Sequence, residues 1–247
     1  MCLVFSFLSV VFFINCFEPV ELNAFDSEMV NYRSFARVKA KNKNITESYI
    51  VLAQQINKYF EERISNLPSF QPLDIDSIDP LSVDICDVAA LKLRGEWGVG
   101  MLPIRNMLTL LEIKGIRVFR LPLNVQEVDA LSVTIDGQPF VFLNTYKSAE
   151  RMRFDAAHEL AHIILHHFDK RATSEYEQDN RVKESEADRF ASSFLMPTDA
   201  FLKNKPNYIS LENMIEYKKY WGVSLAAVNY KLHKLGEITD WNYRSNC

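Results

Sequence analysis

The sequence predicts an α+β fold, a small antiparallel sheet packed with helices. Three observations predict it. Ile116–Leu121, Val128–Ile135 and Gln138–Leu143 are short runs rich in β-branched and aromatic residues, the usual strand signature. The last two flank Asp136-Gly137, a strong signal for a tight hairpin. Around them, longer segments repeat apolar residues at helical spacing, above all RMRFDAAHELAHIILHHF (Arg151–Phe168) and ESEADRFASSFLMP (Glu184–Pro197). A composition of 48% hydrophobic and 24% charged residues over 247 positions supplies ample core.

From the N-terminus, residues 1–17 (MCLVFSFLSVVFFINCF) are apolar, yet the first basic residue is Arg33. A secretory signal needs a positive n-region, so the run reads as a buried strand or helix, or the edge of a longer protein. It is also short for a membrane span. Arg33, Arg37, Lys39, Lys41 and Lys43 mark residues 26–48 as a surface connector. Thr46–Ser65 has helical spacing with Thr46 as a candidate N-cap, and Pro68, Pro72 and Pro80 then mark a linker. These bounds give segments 1–48 and 49–82, followed by one domain over 83–247.

Within that domain, Val83–Glu96 reads as a helix stopped at Trp97-Gly98-Val99-Gly100, and Pro103 opens another that ends before Gly115. After the sheet and the Arg151–Phe168 helix come a polar loop (169–180) and a helix from Arg181 to Met196, stopped by Pro197. Ser210 and Ser224 are candidate N-caps for helices over 211–221 and 225–235, the second ending at Gly236. Mixed charge on this pair favours packing against the core over DNA reading. The net charge of −4 gives no global signal for nucleic acid or anionic membrane. Cys2, Cys16, Cys86 and Cys247 lack metal or redox spacing and read as free thiols of a reducing compartment.

The chemistry concentrates in His158-Glu159-Leu160-Ala161-His162, the pattern H-E-x-x-H. On a helix, residues i and i+4 are neighbours, with Cβ atoms roughly 5–6 Å apart, so two imidazoles can meet one cation with the glutamate beside them. On a wheel of about 100° per residue, His158, His162, Asp155, His166 and Glu159 share one arc and an apolar stripe fills the adjoining one. The plainer alternative is a core helix with surface histidines. A catalytic zinc takes three protein ligands and keeps one position for water. His166 lies about 12 Å along the axis from His158, too far to close the shell, and is at most a residue lining the site. Glu184, on the next helix, borders the stripe of Ala187, Ala191 and Leu195. Asp188, one turn on, is placed to hold a ligand histidine through its other ring nitrogen. Glu186 falls on the far margin of that wheel and is expected to be partly solvated and dispensable for the metal.

The segments WGVG, LPI, LLEIKGIRV, AERMRFDAAHELAHIILHH, ESEADRFASSFLMP and YWGVSLAAVNYKLHKLG, in that order over about residues 83 to 240, resemble the ImmA/IrrE family of metallo-endopeptidases. The resemblance implies a zincin-type core with a C-terminal helical pair, one Zn2+ (or another divalent ion such as Mn2+), metal ligands at His158, His162 and Glu184, and Glu159 as the catalytic glutamate. It implies limited proteolysis of a regulatory protein, a helix-turn-helix repressor, in the cytoplasm. Many members carry an N-terminal Xre-type helix-turn-helix domain. Here residues 1–45, with Phe12-Phe13 and Tyr32-Arg33-Ser34, resemble only the tail of the connecting region, so neither direct nucleic-acid binding nor a membrane partner is expected. The rival reading is a non-catalytic transcriptional regulator or binding module that keeps a structural metal site. Glu159 argues against it, because a structural site needs no base.

Overall fold

Ala40–Glu61 forms one continuous helix, α1, in a computed structural model that describes residues 40–75, 78, 84–121, 129–167 and 180–245. The readings made of residues 1–39, of Phe168 and of the loop 169–179 lie outside the described residues. Thr46 is not the N-cap expected of it. The helix starts six residues earlier, at Ala40, because no Gly or Pro interrupts the Lys- and Asn-rich approach. It also ends at Glu61 rather than Ser65, running into turns closed by Arg63 N–H to Phe60 O and Ile64 N–H to Phe60 O.

Two compact units are distinguishable. One takes in α1 and the chain to Gln71 together with Leu108–Lys147; the other takes in Pro72–Met107 and the chain from Ser148.

In the first unit, β1 (Arg117–Leu121), β2 (Ala130–Ile135) and β3 (Gln138–Asn144) form a sheet of order β1-β3-β2. The hairpin is as expected: Asp136 (φ 50°) and Gly137 (φ 77°) both take positive φ, as a tight two-residue turn between twisted strands demands. The sheet is mixed, however, not antiparallel. β1 pairs with β3 in parallel, from Arg117 opposite Phe140 to Leu121 opposite Asn144. The reason lies in β3, whose near-continuous buried run suits a central strand. The turn occupies one of its edges with β2, which leaves the other edge for β1. Pro139 precedes the first residue paired with β1, so its missing N–H removes no bond from that ladder. Ile50 and Ala53 of α1 share a core with Leu121, Leu131, Val133, Ile135, Phe140 and Phe142.

The second unit is helical: α2 (Ile85–Glu96), the head of α3 (Met107–Ile113), α4 (Ala149–His162), α5 (Asn180–Leu195), α6 (Thr198–Lys203), α7 (Leu211–Trp221), α8 (Leu225–Lys234) and α9 (Asp240–Ser245). Asp84 caps α2 by accepting from the backbone N–H groups of Cys86 and Asp87. Ser148, Ser210 and Ser224 cap α4, α7 and α8 in the same way. The helix expected from Pro103 begins only at Met107. Residues 103–106 run irregularly because Arg153 of α4 donates to the carbonyls of Ile104 and Arg105, which spends those acceptors on a side chain. α6 and α9, six residues each, are too short for periodicity to reveal.

α5 packs against both α4 and α2, and this double contact positions the site. Arg94 of α2 is buried and donates to the carbonyls of Gly100, Leu102 and Phe194, pinning the end of α5. Burial, with Arg153 adding to it, lowers the Arg94 pKa to about 10. Trp97 meets Phe194 edge-on, and the hydroxyl of Ser193 donates to Asp87. On the other flank, Lys218 of α7 bonds Glu150 of α4 at 3.0 Å, while Phe201, Tyr217 and Trp221 form an aromatic cluster. The C-terminal helices therefore pack on the rest of their unit. No helix of the described residues is long and apolar enough to cross a membrane.

Gly115 offers a direct test of the first unit. Its φ is +87°, and an added Cβ would come within 2.3 Å of the backbone at Ser69 and Phe70. Backbone cannot step aside as a side chain can, so Gly115→Ala is expected to cost about 2–3 kcal/mol. Thermal unfolding should fall by about 5–10 °C; an unchanged midpoint would contradict this close approach.

Candidate metal centre

α4 presents His158 and His162 one turn apart, and α5 presents Glu184 and Asp188 against them. Each of His158, His162 and Glu184 offers a donor atom within 4.8 Å of the others. The Nε2 atoms of the two histidines are 3.1 Å apart. His158 Nε2 lies 3.1 Å from Glu184 Oε2, and His162 Nε2 lies 3.5 Å from Glu184 Oε1. Ligands about 2.0–2.1 Å from a tetrahedral cation stand roughly 3.3 Å from each other. The three separations bracket that value, so this donor set fits a small divalent ion.

The electrostatics agree. On its other side, His158 Nδ1–H donates to Asp188 Oδ1 at 2.9 Å, which fixes the ring's orientation and leaves Nε2 facing Glu184. Burial opposes charge on His158, but the hydrogen bonds to Asp188 and Glu184, with Glu159 nearby, overcome it and raise its pKa to about 10. Glu184 moves the opposite way. Against burial, its bonds to His158 and His162 hold it well below the usual carboxylate range. Proton and metal would compete for the same imidazole nitrogen, so metal held by this group is expected to be lost as pH falls.

Glu159 is buried, 6% exposed, and close enough to His158 for its charge to be felt there. Burial of the apolar stripe Ala157, Leu160 and Ala161 sets the helix phase that holds it. Asp188 is the most solvated of the group, with 62% of its side chain exposed, yet it reaches His158. An exposed carboxylate adds little to stability, and its effect here is orientation.

Two expectations are corrected. Arg151–Phe168 is not one regular helix. α4 starts at Ala149, behind its Ser148 cap, and from Ile163 to His167 the chain makes a π turn, so the 100° phase fails beyond His162. Glu186 is partly solvated, as expected, but exposure does not set it apart from Glu184. Its side chain is 22% exposed against 24% for Glu184, and Oε2 stands 3.8 Å from His166 Nε2. The wheel assumed one buried stripe, whereas α5 is covered by α4 on one side and α2 on another. His166 itself packs against His162, ring centroids 5.3 Å apart, beside the ligand set and outside it. The His166–Glu186 pairing has no signal in sequence spacing, because it depends on the π turn.

Residues 111–233 match the family model described as Peptidase M78, IrrE N-terminal-like domain. That span holds all the site residues named above. Among solved structures, a Mycobacterium tuberculosis transcriptional regulator is similar at 18% identity with a TM-score of 0.43; the match covers 60% of this chain and 46% of that one. The chain thus matches less than half of that protein's length. No curated protein matches it.

The geometry ranks the residues for metal retention. Glu184→Ala removes a donor and is expected to release metal to micromolar chelator. Asp188→Ala leaves all three donors and should weaken binding by about 10–100-fold through the loosened His158 ring. Chelator competition read by metal analysis checks this; equal retention by both variants would contradict the arrangement.

Proposed function

Since the chain belongs, through residues 111–233, to the Peptidase M78 family of IrrE N-terminal-like domains, we propose that it is a metal-dependent endopeptidase. Its substrate in this reading is a regulatory protein, a helix-turn-helix repressor, cut at a limited number of bonds in the cytoplasm. One observation carries the proposal: a buried glutamate, Glu159, adjoins the first of two histidines whose Nε2 atoms are 3.1 Å apart, with a carboxylate from a second helix closing the group. A purely structural site has no use for Glu159.

In this reading His158, His162 and Glu184 hold one Zn2+, with Mn2+ as the alternative. The bound ion supplies Lewis-acid polarisation of the scissile carbonyl and makes water a better nucleophile. The chain's own residues do the rest. Glu159 takes the proton of the attacking water and returns it to the leaving amine. Its burial limits competing solvation of the carboxylate. Asp188 keeps the His158 ring from turning.

The test incubates the protein with a helix-turn-helix repressor, with and without chelator, and reads products by intact mass. Discrete fragments that vanish with chelator are expected. Glu159→Gln should keep metal and fold and lose turnover by about 10²–10⁴ or more. Unchanged cleavage by the metal-loaded Gln variant would remove the peptidase mechanism.

A further inference from the structure

The π turn at Ile163–His167 follows directly on the second histidine of the motif, and π turns inside helices are rare and concentrate at functional sites. It places a third imidazole beside that of His162, with the two rings tilted at 47°. Ring centroids run 4.9 Å from His158 to His162 and 5.3 Å from His162 to His166. The His166 side chain is 10% exposed, and its Nε2 lies 3.8 Å from Glu186 Oε2. Glu186 in turn stands near the α2 seam, where its charge is felt at buried Cys86. Every carboxylate of the Glu184–Asp188 stretch therefore engages a histidine of the facing segment. Glu184 meets His158 and His162, Asp188 meets His158, and Glu186 meets His166.

His158 has Asp188 to fix its ring from behind. Across the described residues, the recorded partners of the His162 ring are His158, Glu184 and the ring of His166. We propose that His166 and Glu186 are a positioning pair: His166 sets the plane of His162 by ring packing, and Glu186 holds His166 in place across the two helices. The inference rests on the metal-centre reading above. Among the described residues the donor atoms close enough to share one cation are those of His158, His162 and Glu184, so His166 acts through His162 and is no ligand. Nε2 of His166 stands 3.8 Å from Glu186 Oε2, an ion-pair distance longer than a hydrogen bond. The physical basis is general: groups that orient a ligand tune affinity nearly as strongly as the ligands do.

The experiment binds Co2+ to the purified chain and records affinity and the visible absorption envelope, which reports coordination geometry and requires no substrate. Far-UV circular dichroism of each variant checks the fold. His166→Ala and Glu186→Ala are each expected to lower Co2+ affinity about tenfold and to change the envelope. His166→Phe keeps a flat ring against His162 and should recover most of the unsubstituted envelope. A role in stability alone would leave the spectrum of folded protein unmoved. Unsubstituted affinity and envelope in Glu186→Ala, or in a folded His166→Ala, would overturn the positioning pair and leave the metal centre standing. Failure of the unsubstituted protein to bind Co2+ would overturn both.

Discussion

Two imidazole nitrogens 3.1 Å apart, with a carboxylate oxygen 3.1 Å from one of them, set the condition on which the second unit depends. Two unprotonated ring nitrogens at that distance repel, and a shared proton or a cation held between them removes the repulsion. The surrounding chain supplies the setting for one. Glu184, Asp188 and Glu159 all favour positive charge at His158. Bringing so much like charge together would itself be unfavourable; a cation held by the group relieves both tensions at once.

Such a cluster keeps its shape only if α4 and α5 are fixed from outside it. The apolar seam does this. Phe190 and Phe194 stack within α5, and Trp97 and the buried Arg94 meet Phe194 from the α2 side. On the far flank, Lys218 holds the first turn of α4, and Arg153 takes the chain at 104–105. Hydrogen bonds from a buried guanidinium to three carbonyls are costly to break, because each loss leaves a buried polar group unsatisfied. The metal group is thus the small polar face of a large apolar assembly.

The legible parts of this arrangement share one property: they depend on local phase. The grouping of His158, His162 and Glu184 follows from regular 3.6-residue turns, and the N-caps at Ser210 and Ser224 and the Asp136-Gly137 hairpin follow from side-chain chemistry a few residues long. What escaped depends on contacts far apart in the chain. The parallel pairing of β1 with β3 is a choice among edges, invisible to strand propensity. The delayed start of α3 is imposed by Arg153, about fifty residues downstream, and the cover on Glu186 by a helix pair that no single wheel contains. The π turn is a further kind of miss, since nothing in Ile163–His167 distinguishes it from an ordinary turn by composition.

X-ray absorption at the zinc edge of the protein purified with its own metal addresses the central claim most directly. The account predicts one metal per chain, a first shell of nitrogen and oxygen at about 2.0–2.2 Å, and imidazole scattering from two rings. A shell containing sulfur at about 2.3 Å, or substoichiometric metal with no imidazole signal, would contradict it.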